Sequence, residues 1–132
     1  MREFKFRAWD KIGKKMFGVY MFNKNFIYTN VKGEIFIENN EDFEIMQYTG
    51  LKDKNGIEIY EGDILKQNFQ NGDYIRNLEL YYNDKSICYY VRELPYKSWL
   101  TNCPIDKNWI AVVENQFKVI GNIYENPELL EA

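Results

Sequence analysis

Histidine is absent from this 132-residue chain, cysteine occurs only twice and proline three times. The missing imidazole excludes Ser-His-Asp and Cys-His nucleophile pairs, histidine-ligated zinc and histidine proton shuttles. Neither cysteine has a CxxC partner, so a two-cysteine metal site has no support. Cys88 stands in an aromatic run and Cys103 precedes Pro104. Both read as reduced thiols, since a disulfide needs Cα atoms within about 7 Å and an oxidising compartment. No apolar run approaches the roughly 20 residues of a membrane-spanning helix. The opening Met1-Arg-Glu-Phe-Lys-Phe-Arg-Ala-Trp9 alternates charged and aromatic side chains and lacks the apolar stretch of a secretion signal. We therefore expect a cytoplasmic protein without membrane contact, metal or cofactor.

Aromatic residues are abundant, with nine Phe, eleven Tyr and three Trp. A chain of this size buries roughly two thirds of its unfolded surface, so it folds without a staple. The formal net charge of −3 averages two opposed segments. Residues 1–33 carry eight Lys and Arg against two acids, and residues 34–64 carry nine acids against two lysines. Such segments can attract each other within one chain or between copies, or steer a charged partner.

Period-two alternation dominates the pattern. Phe4–Trp9, Met16–Phe22, Phe26–Val31 and Glu34–Glu38 read as consecutive antiparallel strands, with polar turns at Asp10–Lys15, Asn23–Asn25 and Lys32-Gly33. Asp42 is positioned to cap a short helical turn before a strand over Glu44–Thr49. Asn55-Gly56 predicts a type I′ hairpin turn, which needs positive φ at both central residues. Strands follow over Ile57–Tyr60, Ile64–Phe69, Tyr74–Tyr82 and Ile87–Val91, with a turn cluster at Gln70–Asp73. A loop over 93–108 holds a helical turn around Ser98–Leu100, and Asn108–Val113 and Phe117–Tyr124 are the closing strands. Asn126 and Pro127 mark a final helical turn that Leu129 and Leu130 seat on the core. Short strands with turns every eight to twelve residues predict an all-β barrel or sandwich.

Three blocks carry a resemblance: Phe6–Lys11, Met46–Gly56 with Ile59–Ile64, and Val119–Leu130. Together they resemble the YopX family, small proteins of bacteriophages and prophages, mainly of Gram-positive bacteria. Residues 65–118 match it poorly. The resemblance implies an all-β fold, an SH3-like β-barrel over residues 44–132 with an N-terminal β-hairpin region over 1–43 as an extension or partner arm. It also implies a phage or prophage origin and the bacterial host cytoplasm, and it implies no activity.

The candidate site is the basic, aromatic N-terminal region: Lys5, Arg7, Trp9, Lys11, Lys14, Lys15 and Lys24. Cations that follow a phosphate backbone, with aromatic faces for stacking, are what single-strand nucleic-acid binders use. The plainer reading is a solvated hairpin whose lysines guard an edge strand, and the chain's overall acidity favours it. The same charge asymmetry can join copies, a cationic hairpin docking on the acidic 34–64 region of a neighbour. Acid pairs among Glu58, Glu61 and Asp63 lack any sign of a cleft for acid–base chemistry. Asp53–Gly56 has a hairpin turn where a calcium loop needs further oxygen ligands. We expect a non-catalytic binding or interaction module that self-associates, with an unknown phage or host protein as a further partner. Accessory nucleic-acid binding is the alternative.

Overall fold

The computed structural model describes residues 3–68, 75–95, 103–105 and 109–131, and it divides into two compact units, Met1–Tyr48 and Thr49–Ala132. In the first unit β1 (Phe6–Asp10), β2 (Lys15–Phe22), β3 (Phe26–Val31) and β4 (Glu34–Asn39) form an antiparallel meander. Its turns are stapled by their own side chains. The Asp10 carboxylate accepts the N–H groups of Ile12 and Gly13 at 3.0 Å each. Asn23 does the same for Asn25 and Phe26 at 2.9 Å, and Asn30 accepts the Gly33 N–H at 3.1 Å. Asn and Asp favour such positions because their short side chains mimic a backbone turn.

After β4 a 3-10 turn over Asn40–Asp42 redirects the chain. The Asn40 amide donates to the Asn23 carbonyl at 2.9 Å, its backbone N–H to Asn25 at 3.0 Å, and the Asp42 carbonyl accepts the Lys11 N–H at 2.9 Å. Asp42 is therefore the last residue of this turn, and Asn39 holds the cap position without a side-chain bond. Next, β5 (Phe43–Lys52) pairs with β1, giving the order β4-β3-β2-β1-β5. Ala8, Ile27 and Phe43 are the buried core of this unit, flanked by Phe17, Val19 and Ile45.

The second unit contains the end of β5, then β6 (Glu58–Tyr60), β7 (Asp63–Asn68), β8 (Ile75–Asn83), β9 (Cys88–Leu94), β10 (Cys103–Pro104), α1 (Ile110–Gln116) and β11 (Phe117–Asn122). Five of these strands make an antiparallel sheet in the order β10-β9-β8-β7-β11. Its core is Ile59, Leu65, Leu78, Leu80, Val91, Val113 and Phe117. The mainly β class and the closing helical turn, here a 3-10 turn over Pro127–Leu130, agree with the sequence. Among the described residues no helix is long and apolar enough to cross a membrane. Cys88 is a free, half-buried thiol. The turns expected at Gln70–Asp73 and Ser98–Leu100 lie outside the described residues.

Three local expectations are corrected. The apolar run ending at Val113 is not a strand but the start of α1. Val113 is buried and Trp109 and Val112 pack on the same core, whereas Ile110, Ala111, Glu114 and Asn115 face out, which is a helical period. Asn55-Gly56 is not a type I′ centre, because only Gly56 has positive φ, at 80°. The buried Asp53 carboxylate decides this: Oδ1 accepts the N–H groups of Asn55 at 2.8 Å and Ile57 at 2.9 Å, while the Gly56 N–H bonds the Asp53 carbonyl. Asn126 does not cap the last turn with its side chain, which turns back to accept the Asn122 N–H at 3.2 Å. Leu129 and Leu130 are half-buried in that turn.

Asp53 also ties this turn to β11, since its Oδ2 accepts the Val119 N–H at 2.9 Å. Replacing it leaves three backbone donors unpaired at a site that is 4 % exposed. Asp53→Ala is expected to cost about 3 kcal/mol or more, read as a lower urea midpoint at unchanged slope.

Candidate functional site

The basic residues do not assemble into one platform. Trp9, the aromatic centre of the predicted set, is 8 % exposed and lies in register with Met16 and Glu44, so its ring face is not offered to a base. Arg7 is half-buried opposite Gly18. Lys5 sits 3.0 Å from Glu3 and 5.6 Å from the centre of the Tyr48 ring. Lys11 faces Glu44 at 3.7 Å, and Lys11 and Lys14 stand in the turn that the Asp10 carboxylate organises. Lys15 and Lys24 are exposed, Lys24 in the separate β2–β3 turn. Acids therefore intersperse the cations, which lowers the local potential that a phosphate backbone requires.

The acidic and basic segments meet inside the first unit. β3 pairs with β4 and β1 with β5, so the three strands of residues 1–33 lie side by side with a strand of the acidic segment on either flank. The Lys11–Glu44 pair is about half exposed and contributes little alone. Two of the acids weighed for chemistry, Asp63 of the acid pairs and Asp53 of the calcium-loop candidate, have structural work. The Asp63 carboxylate is buried and accepts the Tyr60 N–H at 2.8 Å. Asp53 spends both oxygens on backbone donors. Among the described residues no group of three His, Cys, Asp or Glu is placed to hold a metal ion.

The strand over Glu34–Glu38 is where the sequence places it, and what sequence reading missed is its exposure, as β4, at the sheet margin. This strand ends the strand order, so one backbone edge is unpaired among the described residues, and all six of its side chains are exposed. Ile35, Phe36 and Ile37 are 51, 46 and 62 % exposed. Successive strand residues point to opposite faces, so this strand is apolar on both. On one face Ile37 stands opposite Tyr28, which stands opposite Met21, a half-exposed apolar row across three strands. On the other, Phe36 joins Phe17, Thr29, Val31, Glu38 and Phe43 around a mainly apolar cavity of about 250 Å³. A continuous apolar run is the mark of a strand buried on both faces, and here it lies in water. Natural edge strands are usually guarded by charged side chains, Pro or a bulge, and β4 has no Pro or bulge and charges only at Glu34 and Glu38.

The model of the YopX protein family matches residues 5–131. The crystal structure of protein EF1440 from Enterococcus faecalis is similar to this chain with a TM-score of 0.61 and 31 % identity, covering 99 % of this chain and 100 % of that one. Protein yopX from Bacillus subtilis is similar in fold, with a TM-score of 0.65, 19 % identity and the same coverage of 99 and 100 %. No curated protein matches the chain.

The positions of the predicted residues give a direct contrast. Trp9→Ala is expected to lose about 3–5 kcal/mol of stability, as for other buried aromatic truncations. Lys14→Gln and Lys15→Gln should stay within about 0.5 kcal/mol of the parent. Thermal and urea unfolding of the three variants measures both.

Proposed function

The chain belongs to the YopX family, and on that premise we propose that it is a non-catalytic binding module which takes up an extended segment of another protein along β4. The observation that carries this reading is a wholly exposed edge strand with apolar side chains on both faces. Strand addition satisfies the open N–H and C=O groups of such an edge, and pockets beside it select side chains. Exposed contiguous apolar surface of this kind marks a place of interaction. The absence of histidine and the structural duties of Asp53 and Asp63 support a binding role over acid–base catalysis. The family resemblance supports a phage or prophage origin and action in the bacterial host cytoplasm.

Self-association is the second reading, favoured by the same edge, with β4 of a second copy as the added strand. Nucleic-acid binding through Lys5, Arg7, Lys11, Lys14, Lys15 and Lys24 is less well supported, because Trp9 is buried and acids lie among the cations.

The test is position-specific photo-crosslinking from residue 37 in the native bacterial host, with residue 87, 76 % exposed in the second unit, as control. A discrete adduct from position 37 alone, lost when Ile35→Lys is added, is the expected result. Adducts of twice the subunit mass identify a second copy, and no discrete adduct from position 37 overturns the reading. Ile35→Lys lies on an exposed face and should shift stability by no more than about 0.5 kcal/mol.

A further inference from the structure

β4 reads Glu34-Ile-Phe-Ile-Glu38, and Glu34, Phe36 and Glu38 share the face that carries the cavity. Glu34 stands opposite Val31 and Glu38 opposite Ile27 in β3, so neither has a cation across the strand pair. Neither has an ion pair among the described residues, and both are exposed. Two uncompensated carboxylates thus bracket an aromatic side chain on an open edge. We infer that the segment added to β4 is an extended, heterologous peptide in which an apolar residue is flanked two positions away on each side by Lys or Arg. This rests on the strand-addition reading and names its partner's chemistry.

An antiparallel strand centred on Phe36 places its central side chain beside the cavity and its second neighbours opposite Glu38 and Glu34. Directly opposed side chains lie about 4.5–5.5 Å apart at Cβ, within reach of a charge pair. At about 250 Å³ the cavity falls below the roughly 300 Å³ at which small-molecule pockets begin, which suits one aliphatic side chain. A second copy of the chain meets the same criteria poorly. Pairing β4 with its own copy about Phe36 sets Glu34 against the other Glu38 twice, and like charges directly opposite are destabilising. Shifting that pairing by two residues in either direction, so that the cavity-bearing faces stay continuous, sets Phe36 against a glutamate. Charge complementarity therefore selects a basic-flanked strand from another protein.

Two dye-labelled peptides test this by fluorescence anisotropy at low salt, one with the core Lys-Val-Leu-Val-Lys and one with Glu-Val-Leu-Val-Glu. The lysine peptide is expected to bind the full chain at least about tenfold more tightly. In the double variant Glu34→Lys with Glu38→Lys the preference is expected to reverse, which a merely unfolded variant cannot do. Equal binding of both peptides, lost in Ile35→Lys, overturns the charge bracket and leaves strand addition standing. Binding of neither peptide overturns both; light scattering then shows whether a second copy occupies β4, as a dimer that Ile35→Lys dissociates.

Discussion

The pairing of β5 with β1, in place of its chain neighbour β4, is the constraint from which the first unit takes its character. A simple meander would lay β5 beside β4 and cover that edge. The chain is turned away by the 3-10 segment Asn40–Asp42, whose backbone and Asn40 side chain are bonded to Asn23, Asn25 and Lys11. Those bonds set β5 in register with β1, Ala8 against Ile45 and Asp10 against Phe43, and bring Phe43 into the core with Ala8 and Ile27. The core is completed by this return, and β4 is left at the margin with Ile35, Phe36 and Ile37 in solvent. The buried core and the exposed edge are two results of one connection.

In the second unit, side-chain oxygens that accept backbone N–H groups hold the connections. Asp53 joins the turn after β5 to Val119 of β11, and Gly62, at φ 84°, donates to Leu80 and accepts from Ile123. Two neighbouring segments, around Asp53 and Gly62, are thereby joined to Val119–Ile123, which lies far along the chain. They belong to the same blocks that carry the family resemblance, which gives that resemblance a physical content. The motifs are a bonding pattern: an acid that satisfies three amides, a glycine where φ is positive, and an asparagine, Asn122, that accepts the N–H groups of Tyr124 and Glu125.

The charge asymmetry changes meaning once the strands are paired. Along the linear chain, the cationic segment 1–33 and the anionic segment 34–64 have the makings of two separate docking surfaces. In the fold the first segment's strands lie between two strands of the second, β3 beside β4 and β1 beside β5, and Lys11 lies beside Glu44. What remains uncompensated at the edge is the pair Glu34 and Glu38. In the proposed strand addition, partner selection rests on these two carboxylates bracketing Phe36.

Much of this was legible in the sequence. Alternation places most of the strands, polar Asn, Asp and Gly clusters place the turns, and the absence of histidine removes whole classes of chemistry, because these depend on side-chain type and spacing over a few residues. The helix at Ile110–Gln116 was not legible, since a short apolar run fits either period until Val113 and Trp109 meet a core to pack on. The conformation of Asn55-Gly56 was not legible either, because it answers to Asp53, whose second oxygen is bound to a strand 66 residues away. Above all, Ile35-Phe36-Ile37 has the composition of a buried strand. Whether it is buried depends on which strand lies beside it, and local sequence carries no term for that. Composition and periodicity determined the β class and the turns, and tertiary pairing alone decided which strand was left open.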